Sequence, residues 1–183
     1  MSIYLIRHGK TRANEEHCYC GSTDLPLSEN GRAELNALSY RLPEGLRFVT
    51  SGMLRTEQTL EILFGQVPHT QDPRFREVDF GDFEMGTYEE LKDTPAYQAW
   101  LTGDNERNVP PHGESGEQMT RRVLEAFDQL PDNTVLITHG GVIAAILASR
   151  FPGEGKNRYQ WQPKPGHGYV LTEKSYAPIP EQN

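Results

Sequence analysis

Two stretches of this chain, residues 2–7 (SIYLIR) and residues 134–138 (TVLIT), are short, apolar and β-branched, and each runs straight into a histidine followed by glycine. Runs of this kind read as buried strands. The first delivers His8 and Gly9 to a loop. The second delivers His139, Gly140 and Gly141 to residues 142–150 (VIAAILASR), which read as a buried helix. Residues 47–51 (RFVTS) form a further strand candidate, followed by a helix with Leu60, Leu63 and Phe64 on one face and Gly65 as its stop. Earlier in the chain, Leu27 and the N-cap Ser28 should open a helix carrying Leu35, Leu38 and Leu42 up to Pro43. Thr87 with Glu90, and Ser115 with Gln118, form capping boxes for two more helices, the second carrying Met119, Val123, Phe127 and Leu130. Residues 168–173 (GYVLTE) are the last strand candidate. This alternation predicts an α/β fold, a mostly parallel central sheet with helices on both faces. Ligands bind such sheets beyond the carboxyl ends of the strands, where His8 and His139 both fall.

At 183 residues the chain suits one compact domain, expected over residues 1–176 with residues 177–183 as a mobile tail. No internal repeat or low-complexity linker divides it. Residues 66–86 follow neither period, are rich in charged and aromatic residues, and are expected to be a functional loop. With 36% hydrophobic and 24% charged residues the composition is that of a soluble protein, and no stretch nears the roughly 20 apolar residues of a membrane span. Nothing at the start of the chain marks a signal peptide, so the cytoplasm is the expected compartment. A net charge of -8 argues against a nucleic-acid partner and confines any phosphate site to a local cluster of basic groups. Cys18 and Cys20 stand as C-x-C with no second pair to complete a zinc site. They are expected as reduced thiols, with a metal role alongside His17 as the alternative. Neither metal nor cofactor is expected, and a homodimer is left open.

Four constellations carry candidate chemistry. Arg7, His8, Gly9, Lys10 and Thr11, with Asn14 following, stand where a strand meets a loop and backbone N–H groups are exposed. Arg7 offers a fork of donors matching phosphate oxygens, and His8 an imidazole able to attack phosphorus once a neighbour fixes its tautomer. Taken alone, His8 fits equally well as the cap of a strand. In the second group Ser51 ends a strand and Arg55 falls in the first turn of the next helix, so a second arginine can face the same cleft. Alone, such an arginine is more often paired with a surface carboxylate. In the third, His139, Gly140 and Gly141 combine close backbone approach with the positive end of a helix, the alternative being a satisfied interior histidine. The fourth is an acidic loop with Glu77, Asp79, Asp82 and Glu84, one carboxyl of which would protonate an alkoxide leaving group. For Asp82 and Glu84 a solvated acidic surface is the preferred reading.

Taken together, RHGKTRAN at residues 7–14, GSTDLPLSENG at 21–31, SGMLRTEQT at 51–59, FREVDFGDFE at 75–84 and THGG at 138–141 resemble, in content and order, the histidine phosphatase superfamily. That family is also called phosphoglycerate mutase-like, and the resemblance covers residues 3–172. It implies a phosphoglycerate mutase-like fold with His8 as the phosphorylated nucleophile, Arg7, Arg55 and His139 as the phosphate pocket, and Glu77 as acid and base. Asn14, the backbone of Cys20 and Gly21, and Gly140 would contact the substrate. Two positions depart from the family's pattern: Met85 stands where glycine often follows the residue matching Glu84, and Phe83 where tryptophan is common. The short span between Glu77 and His139 resembles the phosphatase branch, and the motif style most resembles α-ribazole phosphatases of cobalamin assembly and related broad-specificity phosphatases.

The expected reaction is therefore a two-step transfer from a small phosphorylated metabolite, α-ribazole 5'-phosphate leading, to His8 and then to water. Phosphoglycerate mutase is the near alternative. A non-catalytic phospho-ligand-binding module is disfavoured by the presence of both His8 and Glu77. A metallohydrolase built on His8, His139, His112 or His167 is disfavoured because no H-E-x-x-H or comparable pair is present. Recognition of the rest of the substrate is expected from residues 66–111, where Phe80, Phe83, Tyr88, Tyr97 and Trp100 suit a stacking wall or, preferably, a lid core.

Overall fold

The computed structural model describes residues 2–181. Its six-stranded sheet runs in the order β3-β2-β4-β1-β5-β6. Strands β1 (Ile3–Arg7), β2 (Arg47–Thr50), β3 (Thr70–Gln71) and β4 (Thr134–Thr138) are mutually parallel. Strand β5 (Gly168–Leu171) runs antiparallel to β1, and β6 (Tyr176–Ile179) antiparallel to β5. The helices are α1 (Arg12–Glu15), α2 (Glu29–Asn36), α3 (Leu54–Phe64), α4 (Tyr88–Leu91), α5 (Pro95–Leu101), α6 (Gly116–Asp128), α7 (Gly140–Arg150) and α8 (Arg158–Trp161). This is the expected α/β architecture, a mixed and mostly parallel sheet with helices packed on it.

The two-residue period of a strand sends neighbouring side chains of β1 and β4 to opposite faces. Ile3, Leu5 and Leu136 join one core with Met119 and Val123 of α6 and Ile143, Ile146 and Leu147 of α7. Tyr4, Ile6, Val135 and Ile137 join the other with Leu60 of α3. Because both faces are covered, all five residues of β4 are buried, and their continuous apolar run follows from that.

Tertiary packing overrides local pattern in three places. Ser28 does cap α2, its Oγ accepting the Gly31 N–H at 3.0 Å, but the helix ends at Asn36 instead of running through Leu38 and Leu42 to Pro43. The chain beyond it leaves the helical path, and Tyr40 and Leu42 pack against the α3 side of the sheet. There Tyr40 packs on Phe64, centroids 5.5 Å apart, and its hydroxyl donates to the Gly166 carbonyl at 2.6 Å. Within the loop of residues 66–86 lie β3 and two 3₁₀ turns, Pro73–Phe75 and Gly81–Phe83. Two exposed polar strand residues carry no periodic signal, so β3 was not foreseeable. The tail expected to be mobile from Ala177 is also corrected: β6 pairs with β5 through Ile179, which is buried. Tyr176 packs on Phe151 and Trp161, and a strand bearing Pro178 at a sheet edge resembles a loop in sequence. Residues 182 and 183 of that tail lie outside the described residues.

Candidate active site

Strands β1 and β4 are neighbours in register, Arg7 opposite Thr138, so the residues that follow them emerge side by side. The His8 N–H donates to the Thr138 carbonyl at 2.9 Å, and the rings of His8 and His139 meet edge to face with centroids 5.1 Å apart. His8 Nδ1 lies 2.6 Å from the Gly9 carbonyl. A carbonyl only accepts, so Nδ1 carries the proton and Nε2 of the neutral ring keeps its lone pair. Burial, and then the charges of Arg55 and Arg7, hold the His8 pKa well below the usual histidine value against the opposing pull of Gly9. His139 is depressed likewise, by burial first and then by Arg55, His8, Arg122 and Arg7. Its Nε2 meets Ser51 Oγ at 2.8 Å. The two histidines are thus neutral rings beside two cations.

Arg55, in the first turn of α3 as expected, is 1% exposed. Its Nη1 and Nη2 donate to the carbonyls of Thr23 and Gly21 at 2.9 and 2.8 Å. It is therefore not the surface arginine that the commoner reading would give. Arg7 Nη1 donates to the Pro163 carbonyl at 2.9 Å, and burial lowers its pKa against the pull of Glu77. Among the described residues two buried side-chain polar atoms lack a partner, Arg7 Nε and His139 Nδ1, and both belong to this pocket. Such orphans are rare away from functional sites.

Glu77 enters from the loop. Its Oε2 accepts the Gly141 N–H in the first turn of α7 at 2.9 Å, and its Oε1 accepts the Val78 N–H at 3.0 Å. Gly141 has to be small here, since a Cβ would lie 2.3 Å from Glu77 Oε1. Arg122 of α6 holds the segment from behind. It donates to the carbonyls of Arg74, Arg76 and Glu77 and forks onto Glu114 with two bonds of 2.8 Å. Sequence reading missed Arg122, whose one signal is that it follows the Ser115 cap by two helical turns, and nothing there separates it from Arg121.

The remaining expected site residues divide. Gly140 packs on the pocket, where a Cβ would sit 3.2 Å from Arg7 Cζ and 2.7 Å from Oε1 of Gln162, another neighbour unforeseen from sequence. Cys20 lines the cleft, and burial raises its thiol pKa; both cysteines are free. The Gly21 carbonyl faces Arg55 and its N–H faces Glu84. Asn14 Oδ1 accepts the N–H and hydroxyl of Thr11 in the capping box of α1, and the residue borders a surface depression with Lys10 and Glu34. Asp82 is exposed and paired with His112, as a solvated acid would be. Glu84 is not: its carboxylate accepts bonds from Gly21, Ser22, Thr23 and Phe80, which corrects the expectation of a solvated surface. That difference comes from the fold, which sets the backbone of residues 21–23 against a carboxylate more than fifty positions away.

Above this floor opens a cleft of about 250 Å³ lined by Arg7, Glu77, Gly141 and Gln162, with Tyr19, Phe80, Trp100 and Tyr159 at its sides. Phe83 and Tyr97 are buried behind the wall, whereas Phe80 and Trp100 reach the cleft, so the aromatic segment is core and lining at once. Among the described residues no three His, Cys, Asp or Glu side chains gather as they would around a metal ion, and no helix is long and apolar enough to cross a membrane.

Comparison with known proteins places this geometry in context. The family model of the histidine phosphatase superfamily (branch 1) matches residues 3–177. The chain is 32% identical over 160 residues to the adenosylcobalamin/alpha-ribazole phosphatase of Salmonella typhimurium, covering 81% of this chain and 78% of that protein. The crystal structure of TTHB049 from Thermus thermophilus superposes with a TM-score of 0.77 at 32% identity, over 94% of this chain and 93% of that one. A phosphoglycerate mutase structure from the same organism gives 0.76 at 32% identity, over 93% and 92%.

Proposed function

The chain belongs to the histidine phosphatase superfamily, and we propose that within it the protein is a phosphomonoesterase that passes a phosphoryl group from a small metabolite to His8 and then to water. The observation that carries this reading is His8 itself, a neutral imidazole with its Nδ1 proton committed to Gly9 and its Nε2 lone pair free beside Arg7 and Arg55. In the first step Nε2 attacks phosphorus in line, forming the N–P bond as the ester P–O bond breaks. Arg7, Arg55 and His139 meet the charge on the equatorial oxygens, with the unpartnered Arg7 Nε and His139 Nδ1 as the available groups. Glu77 protonates the departing oxygen. It then takes a proton from the water that attacks phosphohistidine, which restores both groups. Cys20, Gly21 and Gly140 frame the substrate side in this reading, while Asn14, bonded to Thr11 at a separate depression, braces the loop after His8, and no metal is required.

The substrate candidate is α-ribazole 5'-phosphate, the class named for the Salmonella relative. Aromatic side walls, with Glu77, Glu114 and Arg158 alongside, suit a ring-bearing leaving group. Quenching turnover in alkali should leave an acid-labile phosphate on the peptide containing His8, and EDTA should not alter the rate. Phosphate on another residue, or activity lost to EDTA and restored by Zn²⁺ or Mg²⁺, would overturn the mechanism. Efficient interconversion of 2- and 3-phosphoglycerate would replace the phosphatase with a mutase, and kcat/KM for α-ribazole 5'-phosphate no better than for generic esters would remove the named substrate.

A further inference from the structure

We propose that Glu84 is a positioning residue for Arg55, its carboxylate serving as the counter-charge of the buried guanidinium through the single peptide group that joins Gly21 to Ser22. The proposal rests on the reading of this cleft as a phosphoryl pocket. Arg55 is 1% exposed, yet it takes part in none of the ion pairs among the described residues. A buried cation with no counter-charge is costly, so something must offset it. Its two nearest acceptors are backbone carbonyls, those of Gly21 and Thr23.

The N–H groups of the same three-residue stretch bind a carboxylate. Glu84 Oε1 accepts the N–H groups of Gly21 and Ser22, both at 2.9 Å, and that of Phe80 at 3.1 Å. Oε2 accepts the Thr23 hydroxyl at 2.7 Å and the N–H groups of Gly21 and Thr23 at 3.1 and 3.3 Å. The Ser22 N–H and the Gly21 carbonyl belong to one peptide unit. That unit accepts from Arg55 Nη2 at 2.8 Å at its oxygen and donates to Glu84 at 2.9 Å at its nitrogen. Carboxylate, peptide dipole and guanidinium stand in series at the Gly21–Ser22 peptide, whose dipole is favourably oriented toward both charges, so that hydrogen bonds in such a chain polarise one another.

The close packing that this needs is built in, since a Cβ on Gly21 would fall 1.6 Å from the Val78 carbonyl oxygen. The arrangement also has a chemical advantage. A carboxylate bonded directly to Arg55 would compete with a phosphoryl group for the same N–H donors and cancel the charge that attracts it. One peptide farther away, it fixes the guanidinium and leaves the second N–H of each Nη, with Nε, for the substrate.

Glu84→Gln keeps the shape and removes the charge. Measured by binding of orthovanadate, it should weaken affinity by about 10- to 100-fold, the usual effect of losing a supporting partner of a ligating group. In an Arg55→Lys background the same change should have little further effect. Glu84→Asp, which keeps the charge, should recover part of the loss. Side-chain NMR supplies a readout independent of binding: Glu84→Gln should shift both the Ser22 amide and the Arg55 guanidinium protons. Unchanged vanadate affinity in a folded Glu84→Gln protein, full additivity with Arg55→Lys, or a Ser22 shift with none at Arg55 would each overturn the proposal. If Glu84→Gln does not fold, Glu84→Asp carries the NMR test, because a carboxylate one carbon shorter must lengthen these bonds and move Arg55. If the unaltered protein binds no vanadate and cleaves no phosphate ester, the phosphoryl reading fails, while the Arg55 shifts still decide whether the relay exists.

Discussion

Glu77 and the two neutral histidines carry predictions that belong to single residues. Replacing Glu77 with Gln should slow phosphorylation by alkyl phosphates by about 10² to 10⁴, the usual contribution of a positioned acid. Esters with good leaving groups, such as p-nitrophenyl phosphate, should lose much less; rapid-quench rates on both classes check this, and equal losses would transfer the role to another carboxyl. His8 and His139 both have pKa values depressed in the fold, chiefly by burial. The unfolded chain therefore takes up protons near pH 6.5 that the folded chain refuses, so stability falls as pH drops below 6.5, by up to about 1.4 kcal/mol per pH unit for each ring. His69 works the other way, its pKa raised first by its bond to the Val67 carbonyl and also by Glu57, so its contribution is full at low pH and lost as pH rises through its folded value. Urea midpoints should fall between pH 6.5 and 5 by nearly the same amount in His69→Gln, which instead loses the stability that His69 adds as pH drops toward 6.5 from above. Met85 shows what a residue's identity can hide: its φ is 64°, a left-handed conformation in which the glycine often found there in the family would be unstrained.

At the scale of elements, the N-terminus of α7 is where strand, helix and loop become one site. Gly141→Ala would place a Cβ 2.3 Å from Glu77 Oε1, the movable end of a side chain, without meeting backbone. Alanine favours a helix over glycine by about 1 kcal/mol, so the melting temperature should hold or rise. Activity should still fall, on the order of 10²-fold for a displacement near 1 Å, and a kcat equal to that of the unaltered protein would show that the contact with Gly141 does not position Glu77. Local elements of this kind were legible wherever their signal is local. Both expected capping boxes form, Thr87 with Glu90 and Ser115 with Gln118, because each needs only residues three apart. Helix α2 is shorter than its leucine spacing suggests, because Leu42 contributes more to the core beyond the helix than within it.

For the whole molecule, the closing strand matters more than its sequence suggests. Ile179 is 7% exposed and packs with Tyr4, Ile6 and Val135, so Ile179→Ala should cost about 2 to 4 kcal/mol, read from urea unfolding. A loss near zero would return residues 177–179 to the status of a dispensable tail. The charge of -8 is a molecular property too, and against it the positive character of the site is local, carried by Arg7 at the end of β1 and Arg55 in the first turn of α3, with Arg158 at the cleft wall.

The sequence by itself determined the parts whose information is contiguous: the two apolar strands, the histidines that end them, the capped helices and the run of motifs that marks the family. These depend on neighbours within one turn or one strand, and burial on both sides of the sheet forces an apolar run whatever the partner. Only the tertiary structure decided that Arg122 braces the Glu77 loop, that Gln162 meets Gly140, and that Glu84 is enclosed by the N–H groups of residues 21–23. Each of these joins segments more than twenty residues apart, and a buried polar group takes whichever partner the packing of the apolar core brings within about 3 Å.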